Sequence, residues 1–161
     1  MSSPGDIRAA IKARLESVLE VGVVHGYSRY AARNADLLAF YQDGAGGPLR
    51  GWHIRRLKRT QTAPADGRGR GNNLPRTVIN QWLIEGFRSV EDGDASEQEF
   101  DDLLEAIVLA FDDDDTLGGA VVTCSTDEGA GLQQEVNEYA MFGAVLCHRA
   151  RLILHTRHYQ Q

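Results

Sequence analysis

Residues 77–111 hold a strand, a turn and a helix in direct succession, and the rest of the chain has to pack on that unit. The segment 77–90 is rich in β-branched and aromatic residues (Val78, Ile79, Trp82, Ile84, Phe87) and predicts a long strand. Glu91-Asp-Gly-Asp94 is turn chemistry, a Gly among short acids that bond to nearby backbone. Ser96 and Glu99 then have the Ser-x-x-Glu spacing of a capping box, which predicts a helix starting at Ser96. Phe100, Leu103, Leu104, Ile107 and Phe111 recur at helical spacing and form one apolar stripe. This unit can nucleate a fold, but it carries no catalytic group.

The chain has 161 residues, enough for one domain with a true core. No apolar run approaches the ~18–20 residues of a membrane helix. The opening Met1-Ser-Ser-Pro-Gly-Asp6 lacks the basic and apolar regions of a signal peptide, so a cytosolic site of synthesis is expected. Cys124 and Cys147 both lie in apolar surroundings and are expected to be reduced and buried.

Before the central unit, Ser3-Pro4 predicts a helix start, since a hydroxyl caps and Pro has no N–H to lose. Ile7, Ile11, Leu15 and Val18 share one side of that helix, which should end near Glu20 because Gly22 interrupts. Residues 26–30 allow a short strand or a loop, and Asn34 suits a cap or turn. Residues 36–41 are apolar enough for a buried strand, with a helical turn as the alternative. The turn Asp43-Gly-Ala-Gly-Gly-Pro48 would then join them to a strand at 51–62 as a hairpin. The Gly- and Pro-rich segment 63–75 reads as a long mobile loop. After the helix, residues 117–124 predict a strand entered through two glycines, 125–137 a polar connection, and 139–156 the longest strand of the chain. In that last segment His148, Ala150, Leu152 and Leu154 alternate with Arg149, Arg151, Ile153 and His155. The fold class expected is α+β: a mixed, mostly antiparallel sheet flanked by two amphipathic helices in a single domain.

Charge is the most informative compositional fact. The net charge is −6, yet residues 50–76 hold eight cations against one acid, and residues 91–115 hold twelve acids and no Lys or Arg. Such separation steers partners or subunits together. The candidate interface residues are therefore Arg55, Arg56, Lys58, Arg59, Arg68 and Arg70 on the basic side, and Asp112, Asp113, Asp114 and Asp115 on the acidic side. The four consecutive acids also oppose the helix macrodipole, so the helix should stop at or just before them.

Catalytic constellations are missing from the sequence. His155 and His158 would point to opposite faces of a strand, as would Cys147 and His148, and neither pair could share a metal. No Gly-x-Ser-x-Gly elbow, phosphate loop or Cys-x-x-Cys occurs. Glu85, inside an apolar strand, is expected to pair across strands with Arg55 or Arg56. The expectation is a protein that is not an enzyme and needs no cofactor or metal. A nucleic-acid-binding module using the basic stretch 50–76 is the alternative, with Arg68-Gly-Arg70-Gly as its flexible part. A small metal-dependent enzyme using the acids with His155 or His158 is the third reading.

The order of elements resembles the tail terminator and minor tail protein family of tailed phages and prophages. The likeness is carried by the helix at 7–19 and by the strand ending Trp82-Leu-Ile-Glu-Gly-Phe87 before an acidic turn. It continues in the helix at 96–111 with its Phe-x-x-Leu-Leu-x-x-Ile stripe, in Leu117-Gly-Gly119 and in a long closing strand. The resemblance implies a mixed sheet flanked by two helices that assembles with itself, usually as a hexameric ring, on the end of the tail tube. The separated charges, which salt weakens, further allow free subunits that are monomeric at physiological salt and close the ring only on the tail tube. The ring would end tube growth and present the head-joining surface, so the implied partners are the tail tube protein and a head-completion protein. Its implied place is the virion tail, assembled in the host cytoplasm, without membrane, and with nucleic acid met only as DNA passing through the ring. The resemblance carries no catalytic or binding residues to this chain.

Overall fold

The computed structural model describes residues 2–63, 75–90 and 93–160. Its elements run α1 (Pro4–Glu16), β1 (Val23–His25), α2 (Asn34–Tyr41), β2 (Arg50–Thr62), β3 (Arg76–Ser89), α3 (Gly93–Asp112), β4 (Ser125–Thr126), β5 (Gly129–Ala130), β6 (Leu132–Phe142) and β7 (Val145–Gln160). Five strands make one sheet in the order β1-β2-β3-β7-β6, parallel only between β1 and β2, and β4-β5 is a separate small ribbon. The fold is a single α+β domain, a mixed and mostly antiparallel sheet with helices on its faces.

The period-2 alternation of β3 and β7 decides which side holds the core. Trp82, Ile84 and Gly86 pair with Leu154, Leu152 and Ala150, so these residues share one face. α1 and α3 bury their stripes there: Ile7, Ile11 and Leu15 from α1, and Phe100, Leu104, Ile107 and Phe111 from α3. Trp52 lies against Phe100 with ring centroids 6.4 Å apart and donates its indole N–H to the Val21 carbonyl. Gly86 is required beneath that indole, because a Cβ at this position would run into the Trp52 ring. α1 begins as its sequence predicts: Ser3 caps it, and Asp6 completes a capping box by accepting the Ser3 N–H at 2.7 Å. It stops at Glu16, four residues short of the expected end.

Several expectations are corrected. Residues 34–41 form α2, not a strand; Tyr41 packs with Phe87, Cys147 and Phe142 on the second face of the sheet. The glycine-rich turn therefore joins a helix to β2, closed by one bridge between Gln42 and Leu49, and the true hairpin partner of β2 is β3. Residues 117–124 are a run of turns. Leu117, Gly118 and Gly119 take left-handed φ values of 51°, 69° and 86°, and only Thr123 bridges to Arg157. The polar stretch from 132 onward belongs to β6. The single long strand expected at 139–156 is instead two, folded back at Gly143, whose φ of 61° makes the tight turn. Ser96 lies inside α3, which starts at Gly93, so it is not the cap; it is buried and its Oγ lies 2.9 Å from His148 Nε2 on β7. Glu99 reaches Arg88 at 2.7 Å instead of returning to Ser96. α3 does end at the first of the four acids.

Candidate assembly interface

The two long edges of the sheet differ in charge. β1 pairs with β2 only at Gly51, Trp52 and His53. From Ile54 to Thr62 the outer side of β2 has no strand neighbour among the described residues, and it is a free edge carrying Arg55, Arg56, Lys58 and Arg59. All four cations are exposed and none meets a carboxylate among the described residues. Arg59 instead donates to the amide oxygens of Gln61 and Gln160, each at 2.6 Å. Leu57 is the extra residue of a bulge between Arg56 and Lys58. Bulges and charges on an edge strand suppress indiscriminate strand pairing while leaving a surface that a charged partner can read.

At the opposite edge β6 pairs with β7 and with no other strand among the described residues, and its two acids are ion-paired within the subunit, Glu138 with Arg149 at 2.9 Å and Glu135 with Arg151 at 3.9 Å. α3 adds its acids on this side: Asp101 accepts from Asn137 of β6 at 2.7 Å, and the Tyr139 hydroxyl points to Glu97 at 3.4 Å. Exposed Tyr139 and Met141 lie among them. The β2 cations and the α3 acids that face β6 thus stand at opposite edges of one sheet, and no ion pair joins them among the described residues.

The predicted acids of residues 112–115 divide by role. Asp112 and Asp113 are exposed at the end of α3. Asp114 organises the following turns: Oδ1 accepts from the Thr116 hydroxyl and N–H, and Oδ2 from the Gly118 N–H and from Arg14, both at 2.6 Å. The Thr116 hydroxyl first, then the Gly118 and Thr116 N–H groups, hold its pKa below the ordinary carboxylate value. Asp115 accepts from the Cys124 N–H, the Ser125 hydroxyl and the Thr123 hydroxyl, tying that segment to the helix end. Arg68 and Arg70, with residues 64–74 of the expected mobile loop at 63–75, lie outside the described residues.

A polar centre that sequence reasoning misplaced lies on the second sheet face. Glu85 is not paired with Arg55 or Arg56. It accepts from Arg149 Nε and Nη2 at 3.1 and 2.8 Å, with Arg151 at 3.5 Å and His53 Nε2 at 3.4 Å from its carboxylate. Tyr41 continues the chain, its hydroxyl 3.2 Å from His53 Nδ1. Burial lowers the His53 pKa and raises that of Tyr41, so both are neutral links at neutral pH. The only available sequence signal was the placement of Arg149 and Arg151 on one face of a predicted strand; their register against Glu85 was not legible. His155 and His158 do lie on opposite faces, through the register Gln81–His155 and Val78–His158. Both cysteines are free and buried, and burial pushes Cys124 up to about 12 and Cys147 up to about 11, so neither is a poised nucleophile. Among the described residues no three His, Cys, Asp or Glu side chains cluster to hold a metal.

A scan of known protein-family models found no match to this chain, and a search of curated proteins found none either.

Proposed function

We propose that this protein is a structural subunit that assembles head to tail into a ring, and that the ring caps a phage or prophage tail tube. The ring reading is supported by the edge of β2, whose four cations meet no carboxylate among the described residues, lying across the sheet from β6 and the exposed α3 acids beside it, Glu97 and Asp101. A surface of one sign opposite a surface of the other sign is the arrangement that a heterologous interface uses, each subunit giving its basic side to its neighbour's acidic side. Closure into a ring, the tail tube as the support and the head as the neighbour come from the family resemblance of the sequence. The test is electron microscopy and sedimentation of the protein at low and high salt, alone and with purified tail tubes. Closed rings seated on tube ends support the reading; open filaments, or monomers that ignore the tubes, contradict it.

The nucleic-acid reading draws on the same free cations, Arg55, Arg56, Lys58 and Arg59. Trp52, the aromatic nearest to them in sequence, is buried beneath α3 and is not a base-stacking platform. Binding to unspecific DNA with a steep salt dependence would favour that reading over assembly.

A further inference from the structure

Where the free edge of β2 reaches the start of α1, three strands and a helix terminus enclose a cavity of about 340 Å³. Its lining includes Ser3 of the α1 cap, Arg59 of β2, Asn80 of β3, and His158 and Gln160 of β7. Asn80 is fully buried, yet neither its Nδ2 nor its Oδ1 has a hydrogen-bond partner among the described residues. The Nδ1 of His158, a ring that is 8% exposed, is likewise unpartnered. Buried polar atoms are satisfied in the great majority of cases, by protein or by ordered water, so an amide with both ends open to a cavity offers a donor and an acceptor to a small polar solute.

We propose that this cavity binds a small oxyanion bearing a hydroxyl, of the kind represented by inorganic phosphate or a small phosphate monoester. Arg59 supplies a cation that no described carboxylate neutralises. The N-terminus of α1 adds the positive end of a helix dipole, although Asp6 offsets part of it at the cap. Asn80 Nδ2 and a His158 tautomer with the proton on Nδ1 donate to anion oxygens. Asn80 Oδ1 needs a donor, and that requirement separates hydrogen phosphate, or a monoester with a free hydroxyl, from fully deprotonated sulfate. The volume accommodates phosphate with a small organic group attached. Burial and the nearby Arg59 charge keep His158 below its ordinary pKa, consistent with a neutral ring whose tautomer follows its ligand.

The test follows the Asn80 side-chain amide and the His158 imidazole by NMR on the full chain, titrated with inorganic phosphate, glycerol 3-phosphate or sulfate at constant ionic strength. Saturable shifts are expected with both phosphates, and sulfate is expected to bind at least about fivefold more weakly because it has no hydroxyl to donate to the Asn80 amide oxygen. Arg59→Gln, at an exposed position, should weaken phosphate at least about fivefold. Asn80→Leu should abolish binding while raising the thermal midpoint of the unliganded protein, because an unsatisfied amide leaves the core. Absence of saturable shifts with either phosphate, equal binding of sulfate, or phosphate binding unchanged in Arg59→Gln overturns the proposal. The Arg59 variant keeps the question decidable if Asn80→Leu does not fold.

Discussion

Glu85 on β3 accepts two hydrogen bonds from Arg149 on β7, at 3.1 and 2.8 Å, in a position where the carboxylate is only 12% exposed. It fastens two central strands on the face that α1 and α3 leave uncovered. Glu85→Ala should lower unfolding stability by about 1–3 kcal/mol, the range for a charge-assisted bond whose partner is left behind. Urea denaturation checks this, and a midpoint equal to wild type would mean that the cluster is held by its neighbours alone.

Ser96 and His148 make a second cross-element contact, between α3 and β7 at 2.9 Å. A double-mutant cycle on Ser96→Ala and His148→Gln should give a coupling of about 0.5–1.5 kcal/mol. If Ser96 acted only as a helix cap, the two substitutions would be additive.

The pH dependence has a definite sign. Burial lowers the pKa of His53, His148 and His158 from the ordinary 6.5. The unfolded chain therefore takes up protons before the folded chain does. Their contribution is complete above the unfolded value and is lost as pH falls from there through the folded values. Urea midpoints measured between about pH 8 and 5 should fall on the acid side, and His148→Gln should make that fall shallower.

Much of the helix-bearing face was legible from the sequence. The Phe100–Phe111 stripe, the Ile7–Ile11–Leu15 stripe and the alternation from Cys147 onward are strong periodic signals, and all lie where their period puts them. At Ser96 and Glu99 local chemistry was overridden by tertiary partners. Ser96 and Glu99 have capping spacing, but His148 and Arg88 claim their side chains. The apolar run 36–41 reads first as a buried strand, and packing of Tyr41 on Phe87 and Phe142 accompanies the helical form it takes instead. Gly143 breaks what reads as one strand, because a single glycine in an apolar run does not announce a hairpin. The charged runs were plain in the sequence, but only the strand order puts them at opposite sides of the sheet.

Core packing gives a further prediction. Phe100→Ala and Ile107→Ala should each cost roughly 2–5 kcal/mol, since both side chains are buried between α3 and the sheet. Gly86→Ala should cost about 1–3 kcal/mol by pushing on the Trp52 indole. Thermal or urea denaturation of the three variants measures these costs; an unchanged midpoint in Ile107→Ala would place the stripe outside the core.

Assembly by opposite charge is tested most directly by reversal and rescue. Sedimentation velocity would follow self-association, alone and on tail tubes, of wild type, of Arg55→Glu with Arg56→Glu, of Glu97→Arg with Asp101→Arg on the α3 side of the β6 edge, and of an equimolar mixture of the two variants. The account predicts that salt and either reversal alone weaken association, because exposed complementary charges act within about a Debye length of 8–10 Å. In the mixture the reversed edges meet, so association between the two variants should return. Association that ignores salt and both reversals would contradict the assignment of the β2 and β6 edges as the faces that join one subunit to the next.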